Sequence, residues 1–179
     1  MAEITHLTAT ELEAGLDYIR QSPKDEGAVE LIVRRPQTGE REVLETGELD
    51  PKVGLVGDNW RERASADNPD TQLNVMNARA AALVAQDPER RQLAGDQLFI
   101  DIDLSDDNLP AGSQLAIGSA IIEVTEIPHT GCKKFTERFG MDAVKFVNTG
   151  VGKELHLRGI NARVVQAGTI RAGDQARKI

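Results

Sequence analysis

Aromatic residues are scarce in this chain of 179 residues, which holds one Trp, one Tyr and four Phe. Proteins that grip single-stranded nucleic acid stack bases on exposed rings, and there is little material for that here. Positive charge is also in deficit. With 21 Lys and Arg against 29 Asp and Glu, the net charge is -8, so the broad basic surface of a nucleic-acid binder is excluded while a locally positive pocket is not. No apolar run approaches the roughly 20 residues that span a bilayer, and Met1 to Thr5 lack the basic-then-apolar order of a secretion signal. A cytoplasmic protein with neither a nucleic acid nor a membrane as partner is expected. The sharpest scarcity is cysteine. Cys132 stands alone, so it has no partner for an internal disulfide, and the chain suits a reducing compartment.

Several sites are missing as well. There is no GxGxxG between strand and helix, no GxxxxGK[ST] and no HExxH. His6, His129 and His156 are too scattered to read as a zinc set. The acidic stretch Asp101 to Asp107 resembles an EF-hand loop only superficially: Asp106 stands where that loop needs Gly, and Gly112 where it needs a bidentate Glu. A solvated acidic face ending in an Asp-rich turn accounts for it better.

What is there centres on Ile127-Pro128-His129-Thr130-Gly131-Cys132-Lys133-Lys134-Phe135. Pro128 and Gly131 mark a loop. Lys133 to Phe139 then reads as one or two helical turns with Phe135 and Phe139 on one face, which places Cys132 at or just inside the first turn. Thiolate is the reactive form of cysteine and is favoured beside cations, here His129, Lys133 and Lys134. Cys132 is therefore the candidate catalytic residue, with His129 and Lys133 as the groups that tune it. The alternative is a buried cysteine acting as a small hydrophobe in a non-catalytic interaction module. Cys-His nucleophilic hydrolysis, with His129 or His156 as base, is a further possibility.

Elsewhere the chain predicts a helical extension over residues 1–26, with a capping box on Thr10 and Glu13 and an apolar stripe of Leu12, Leu16 and Ile19. A β-rich domain over residues 27–179 follows. Its strands are Ala28 to Arg34, a return strand Arg41 to Thr46, Gln72 to Met76, Leu98 to Leu104, and the hairpin Gln114 to Ile117 with Ala120 to Thr125 around Gly118-Ser119. Ile160 to Gln166 is also strand-like. Asn77 caps a helix over 78–86, and Met141 to Asn148 is helical. Arg61 and Arg63, in the charged loop from Arg61 to Asp70, are candidates for anion contacts. Many short strands with few helices argue for a mainly β, α+β fold with a barrel or strongly twisted sheet.

Three ordered segments converge on the cysteine: Gly57-Asp58-Asn59-Trp60, then Gly95 to Ser105, then Ala111 to Ala120. Together with Arg158-Gly159-Ile160-Asn161-Ala162-Arg163-Val164 and Gly173-Asp174, they resemble the MOSC domain, the C-terminal domain of molybdenum cofactor sulfurases. The resemblance runs from Gly27 to Asp174 and implies a MOSC-like β-barrel. It implies too that Cys132 either carries a persulfide received from a pyridoxal-phosphate-dependent cysteine desulfurase or ligates molybdenum in a molybdopterin cofactor. The latter case would be a reductase of N-hydroxylated compounds fed by an external electron donor. Arg61, Arg63, Arg158, Asn161 and Arg163 become candidate contacts for the cofactor. Many members place Arg three residues before the cysteine, where this chain has His129.

Overall fold

The structure is a computed structural model that describes residues 4–179, with residues 64 and 65 described by backbone alone. Residues 1–3 of the expected helical extension lie outside the described residues. That extension is a broken helix, α1 (Ala9–Ala14) and α2 (Leu16–Arg20). Its capping box is Thr8 with Glu11, each side chain bonding the other's amide at 3.3 and 2.8 Å. The box expected on Thr10 and Glu13 is thereby corrected. An earlier start keeps Leu12 in the first full turn, where it is completely buried. The break falls at Gly15, where a Cβ would meet Leu83 at 2.6 Å.

Next come β1 (Glu26–Arg34), β2 (Glu42–Leu44), β3 (Thr46–Asp50) and β4 (Gly54–Leu55). The charged segment that follows is wound into short 3-10 turns. β5 (Leu73–Asn77) leads directly into α3 (Ala78–Ala85), capped by the Asn77 side chain bonding Ala80 N at 2.9 Å. After another 3-10 stretch, Pro88–Ala94, come β6 (Leu98–Ile100), β7 (Gln114–Ile117) and β8 (Ala120–Val124). Three helices, α4 (Lys133–Phe139), α5 (Met141–Asn148) and α6 (Gly150–Glu154), then precede β9 (Ile160–Gln166), β10 (Gly168–Arg171) and β11 (Gln175–Lys178).

The main sheet runs β11-β7-β8-β9-β5-β6-β1-β2, and the pairing of β11 with β1 closes it into a barrel with β2 appended outside the ring. All pairings in it are antiparallel except β5 with β6, so the barrel is mixed. Closure removes the open edges that an exposed sheet would present to other chains. A small sheet, β10-β3-β4, packs beside it.

Two apolar layers follow from the alternation along the strands. Val29, Leu73, Val75, Leu98, Ile100, Ile122 and Val164 fill the barrel. Leu31, Val33, Met76 and Phe99 point outward instead, into a layer of helices that contributes Leu12, Ala81, Val84, Phe135, Phe139 and Val147. This second layer corrects the reading of Leu98 to Leu104 as one long strand with a solvated face. The strand ends at Ile100, and Phe99 is buried against the helices. Asp101 is tied to Arg79 at 2.8 Å and Asp103 to Lys24 at 3.0 Å. The β7–β8 hairpin turns as expected, with Gly118 at φ 55° and Ser119 on the ordinary side of φ. No helix among the described residues is long and apolar enough to cross a membrane.

Candidate functional site

The loop between β8 and α4 is fixed from both sides. Asn161, on β9, donates to the carbonyls of Ile127 and Pro128 at 3.0 and 3.2 Å and accepts from Asn74 at 2.7 Å. Asn148, at the end of α5, accepts from Gly131 N at 2.8 Å. Beyond this clamp stands Cys132, exposed, as the N-cap of α4. Its carbonyl accepts from Thr136 N at 3.1 Å, so the backbone starts the helix while the thiol is left to solvent. α4 is anchored by Phe135 and Phe139, whose ring centroids lie 4.8 Å apart in the helical layer. Exposure overturns the alternative in which Cys132 is a buried structural residue.

Behind the loop lies Asp96, completely buried. Its carboxylate takes a hydrogen bond from Arg158 Nη1 at 2.6 Å and faces His129 Nε2 at 3.3 Å. Arg158 Nη2 bonds the Ala94 carbonyl at 2.9 Å, and its guanidinium lies 4.9 Å from the Phe135 ring centroid. Burial alone would raise the Asp96 pKa, but Arg158 and His129 outweigh it and hold the carboxylate below its ordinary range. The opposite holds for His129. Burial, and then the positive charge of Arg158, lower its pKa despite Asp96, so the imidazole is neutral at pH 7. Its contact with Asp96 is poorly aligned for a hydrogen bond. Both His129 Nε2 and Asp96 Oδ2 are left without a hydrogen-bond partner among the described residues, as is Arg158 Nε.

His129 and Arg158, with Asp96 behind them, form one wall of a cavity of about 500 Å³ between the barrel end and the α5–α6 corner. Val124, Ile127 and Ile160 supply apolar lining, Lys153, His156 and Arg158 supply cationic or protonatable groups, and Asp106 and Glu126 supply the acids. His156 is held at φ 51°, a conformation rare outside glycine, with Nδ1 donating to the Leu104 carbonyl at 3.0 Å and Nε2 facing Asp106 at 3.6 Å. Gly159 keeps the floor open. Its φ is 126°, and a Cβ there would stand 2.5 Å from the Val75 carbonyl oxygen and 3.0 Å from both Asp96 Oδ2 and His129 Cδ2.

The expected site residues thus separate into groups. His129, Arg158 and Asn161 gather behind the loop, and the first two line the cavity while Asn161 holds the loop's backbone. Cys132 and Lys133 sit at its exposed end, and His129 turns to Asp96. The remaining arginines lie apart. Arg61 bonds the Lys52 carbonyl at 3.0 Å and Arg63 the Asn59 side chain at 3.1 Å. Arg163 is on the barrel wall, paired with Glu123 at 2.9 Å and Asp70 at 3.5 Å. Sequence reasoning missed Asp96, Asn148 and Lys153. Asp96 carried a signal in its place within the family-like segment Gly95 to Ser105, where no site role was assigned to it.

The segment Gly57 to Trp60 is likewise structural. Asp58 takes bonds from Arg35 Nε and Nη2 at 3.0 and 2.7 Å and from Trp60 N at 3.2 Å, while Trp60 Nε1 reaches Thr71 Oγ1 at 3.0 Å.

A closed mixed barrel that presents one cysteine on a clamped loop beside a cavity defines a recognisable class. The chain belongs to the MOSC domain family, whose model matches residues 58–177, and that family is associated with molybdenum-cofactor proteins. Solved structures agree in fold. The YuaD protein of Bacillus subtilis superposes with a TM-score of 0.64 at 16% identity, over 84% of this chain and 94% of that one. YiiM of Escherichia coli gives 0.56 at 21% identity, over 85% and 69%. YiiM of Geobacillus stearothermophilus gives 0.54 at 13%, over 87% and 73%. No curated protein matches the chain by sequence.

Proposed function

We propose that this protein handles sulfur in molybdenum-cofactor chemistry, with Cys132 as the sulfur acceptor. The observation that carries this reading is the exposure of the single thiol at the end of a loop pinned by Asn148 and Asn161. A persulfide carrier must meet another protein's sulfur, and only an accessible thiolate attacks efficiently. The Cys132 thiolate attacks the terminal sulfur of a cysteine desulfurase persulfide. One S–S bond forms as the donor's S–S bond breaks, and the donor's cysteine leaves as thiolate. Oxidation state is conserved, so no external oxidant is needed. Pyridoxal phosphate belongs to the donor in this scheme.

The cavity supports a second reading, in which molybdopterin binds and Cys132 is a molybdenum ligand. Its volume falls in the range of small-molecule and cofactor sites, and the unpartnered Arg158 Nε and His129 Nε2 are polar atoms that a heterocycle would satisfy. Among the described residues no three His, Cys, Asp or Glu side chains cluster around a metal position. A metal at Cys132 would therefore bring its other ligands with the cofactor. Thiolate is a ligand type suited to soft centres. When bound, that cofactor would supply the redox centre for reducing N-hydroxylated compounds; His129, Lys153 and Arg158 would bind and orient it.

The test is intact mass and metal content of wild type and Cys132→Ala after anaerobic incubation with a cysteine desulfurase and cysteine. Gain of one sulfur in the wild type alone supports the carrier. Stoichiometric molybdenum lost in the variant, with donor-dependent turnover, supports the reductase. Absence of both sinks the reading.

A further inference from the structure

Around Gly95 and Asp58 the chain gathers four guanidinium groups. Arg35, at the end of β1, is buried and bonds the Gly95 carbonyl at 3.1 Å through Nη1. Arg138, on the last turn of α4, bonds the Leu93 carbonyl at 2.7 Å. Arg41, just before β2, bonds its neighbour's carbonyl, Glu40 O, at 2.8 Å. Arg63 is steered by Asn59 Oδ1 at 3.1 Å. Gly95 lies beside Arg35, Arg41 and Arg138, and Arg63 is a charge neighbour of Arg35 and Arg41. A Cβ on Gly95 would stand 3.6 Å from Arg41 Nη2 and 4.0 Å from Arg138 Nη1, and Gly95 is left-handed at φ 91°, so the chain keeps that space clear of a side chain.

The charge is not balanced. Arg41 feels Arg138, Arg35 and Arg63 against a single carboxylate, Asp58. Asp58 is spent: Arg35 takes both its oxygens, and Gln97 and Trp60 N add bonds to Oδ2 at 3.2 Å each. One guanidinium is thereby neutralised, and the other three have no ion-pair partner among the described residues. Arg41 Nε is buried and has no hydrogen-bond partner among the described residues. Burial first, and neighbouring guanidiniums second, lower the pKa of both Arg41 and Arg63. Like charges held together and partly desolvated cost stability unless a counter-charge joins them. In a chain of net charge -8, chance crowding of surface charge would favour acids here.

We infer that Arg41, Arg63 and Arg138, over Gly95, form a binding site for a phosphate-class oxyanion, such as the phosphomonoester of a small molecule. Planar guanidinium forks match tetrahedral oxyanions with paired N–H donors, and an oxyanion bears enough charge to offset the unbalanced arginines. The site lies at the opposite end of α4 from Cys132, so it stands whether or not Cys132 carries sulfur.

The experiment is thermal unfolding in inorganic phosphate against chloride of matched ionic strength, which removes general screening. The proteins are wild type, Arg41→Gln, Arg63→Gln and the exposed control Arg171→Gln. At about ten times the dissociation constant the wild type and control gain about 3–5 °C. Both cluster variants lose most of that gain while melting at or above wild type in chloride, because a repulsion has been removed. A purely structural role for the arginines would instead lower their melting temperature in chloride. No gain over chloride in wild type, or a gain retained in both variants, overturns the site.

Discussion

His129 and Gly159 carry most of the site's character at the scale of single residues. His129 is largely buried and neutral, with its pKa below the ordinary 6.5, whereas the unfolded chain protonates it near that value. The unfolded state therefore binds more protons as pH falls through about 6.5, and the histidine's contribution, complete above that pH, is lost progressively below it. Urea titrations at pH 7.5 and 5.5 are expected to show a drop in stability for wild type and a smaller drop for His129→Gln. Asp96→Ala leaves Arg158 buried and unpaired, and should cost about 3–5 kcal/mol. At Gly159 an alanine would need both a left-handed backbone and room that the Val75 carbonyl occupies. Gly159→Ala should cost about 2–3 kcal/mol in denaturant titration. Arg158 was a candidate contact and Gly95 opened a family-like segment, but nothing local in the sequence pairs Arg158 or Gly159 with Asp96, 62 residues away from Arg158. Their partnership is a product of long-range strand pairing, which sets β9 beside β5.

At the scale of elements, local signals served well where local physics decides. Phe135 and Phe139 at helical spacing defined α4, Asn77 capped α3, and Gly118-Ser119 turned the β7–β8 hairpin, all as the sequence predicts. Local signals failed where packing decides. Phe99 and the aspartates after it looked like a solvated face, but a second apolar layer covers Phe99 and arginine and lysine partners take the acids. The clamp on the cysteine loop belongs to this scale too. Asn148→Ala removes the acceptor for Gly131 N, worth about 1 kcal/mol. Hydrogen exchange should then show the Gly131 amide opening about five-fold more readily, with α4 itself unchanged.

Across the whole molecule, the fold class was readable and its closure was not. Short alternating strands and sparse helices announce a mainly β domain, and the order of its motifs around one cysteine resembled the family that the domain match then showed. Which strand seals the barrel is a non-local fact. It falls to β11, where Ala176 pairs with Gly27 of β1 and Ile117 of β7 and is fully buried. Ala176→Asp would place a charge inside the seam without a partner, and chemical denaturation is expected to show loss of the cooperative transition rather than a modest shift. The barrel in turn is what makes the site rigid. It holds Asn74, Asn161 and Asp96 in one frame, so that the loop between β8 and α4 can present an exposed thiol without drifting.

Whether Cys132 accepts sulfur is read by peptide mapping with tandem mass spectrometry after anaerobic exposure to a persulfide-loaded cysteine desulfurase. An additional sulfur is expected on the peptide containing Cys132, removed by a mild reductant and faster to appear than on the same peptide in urea-unfolded protein. An unmodified Cys132 peptide, or a rate no higher than in the unfolded chain, would contradict the sulfur-acceptor role.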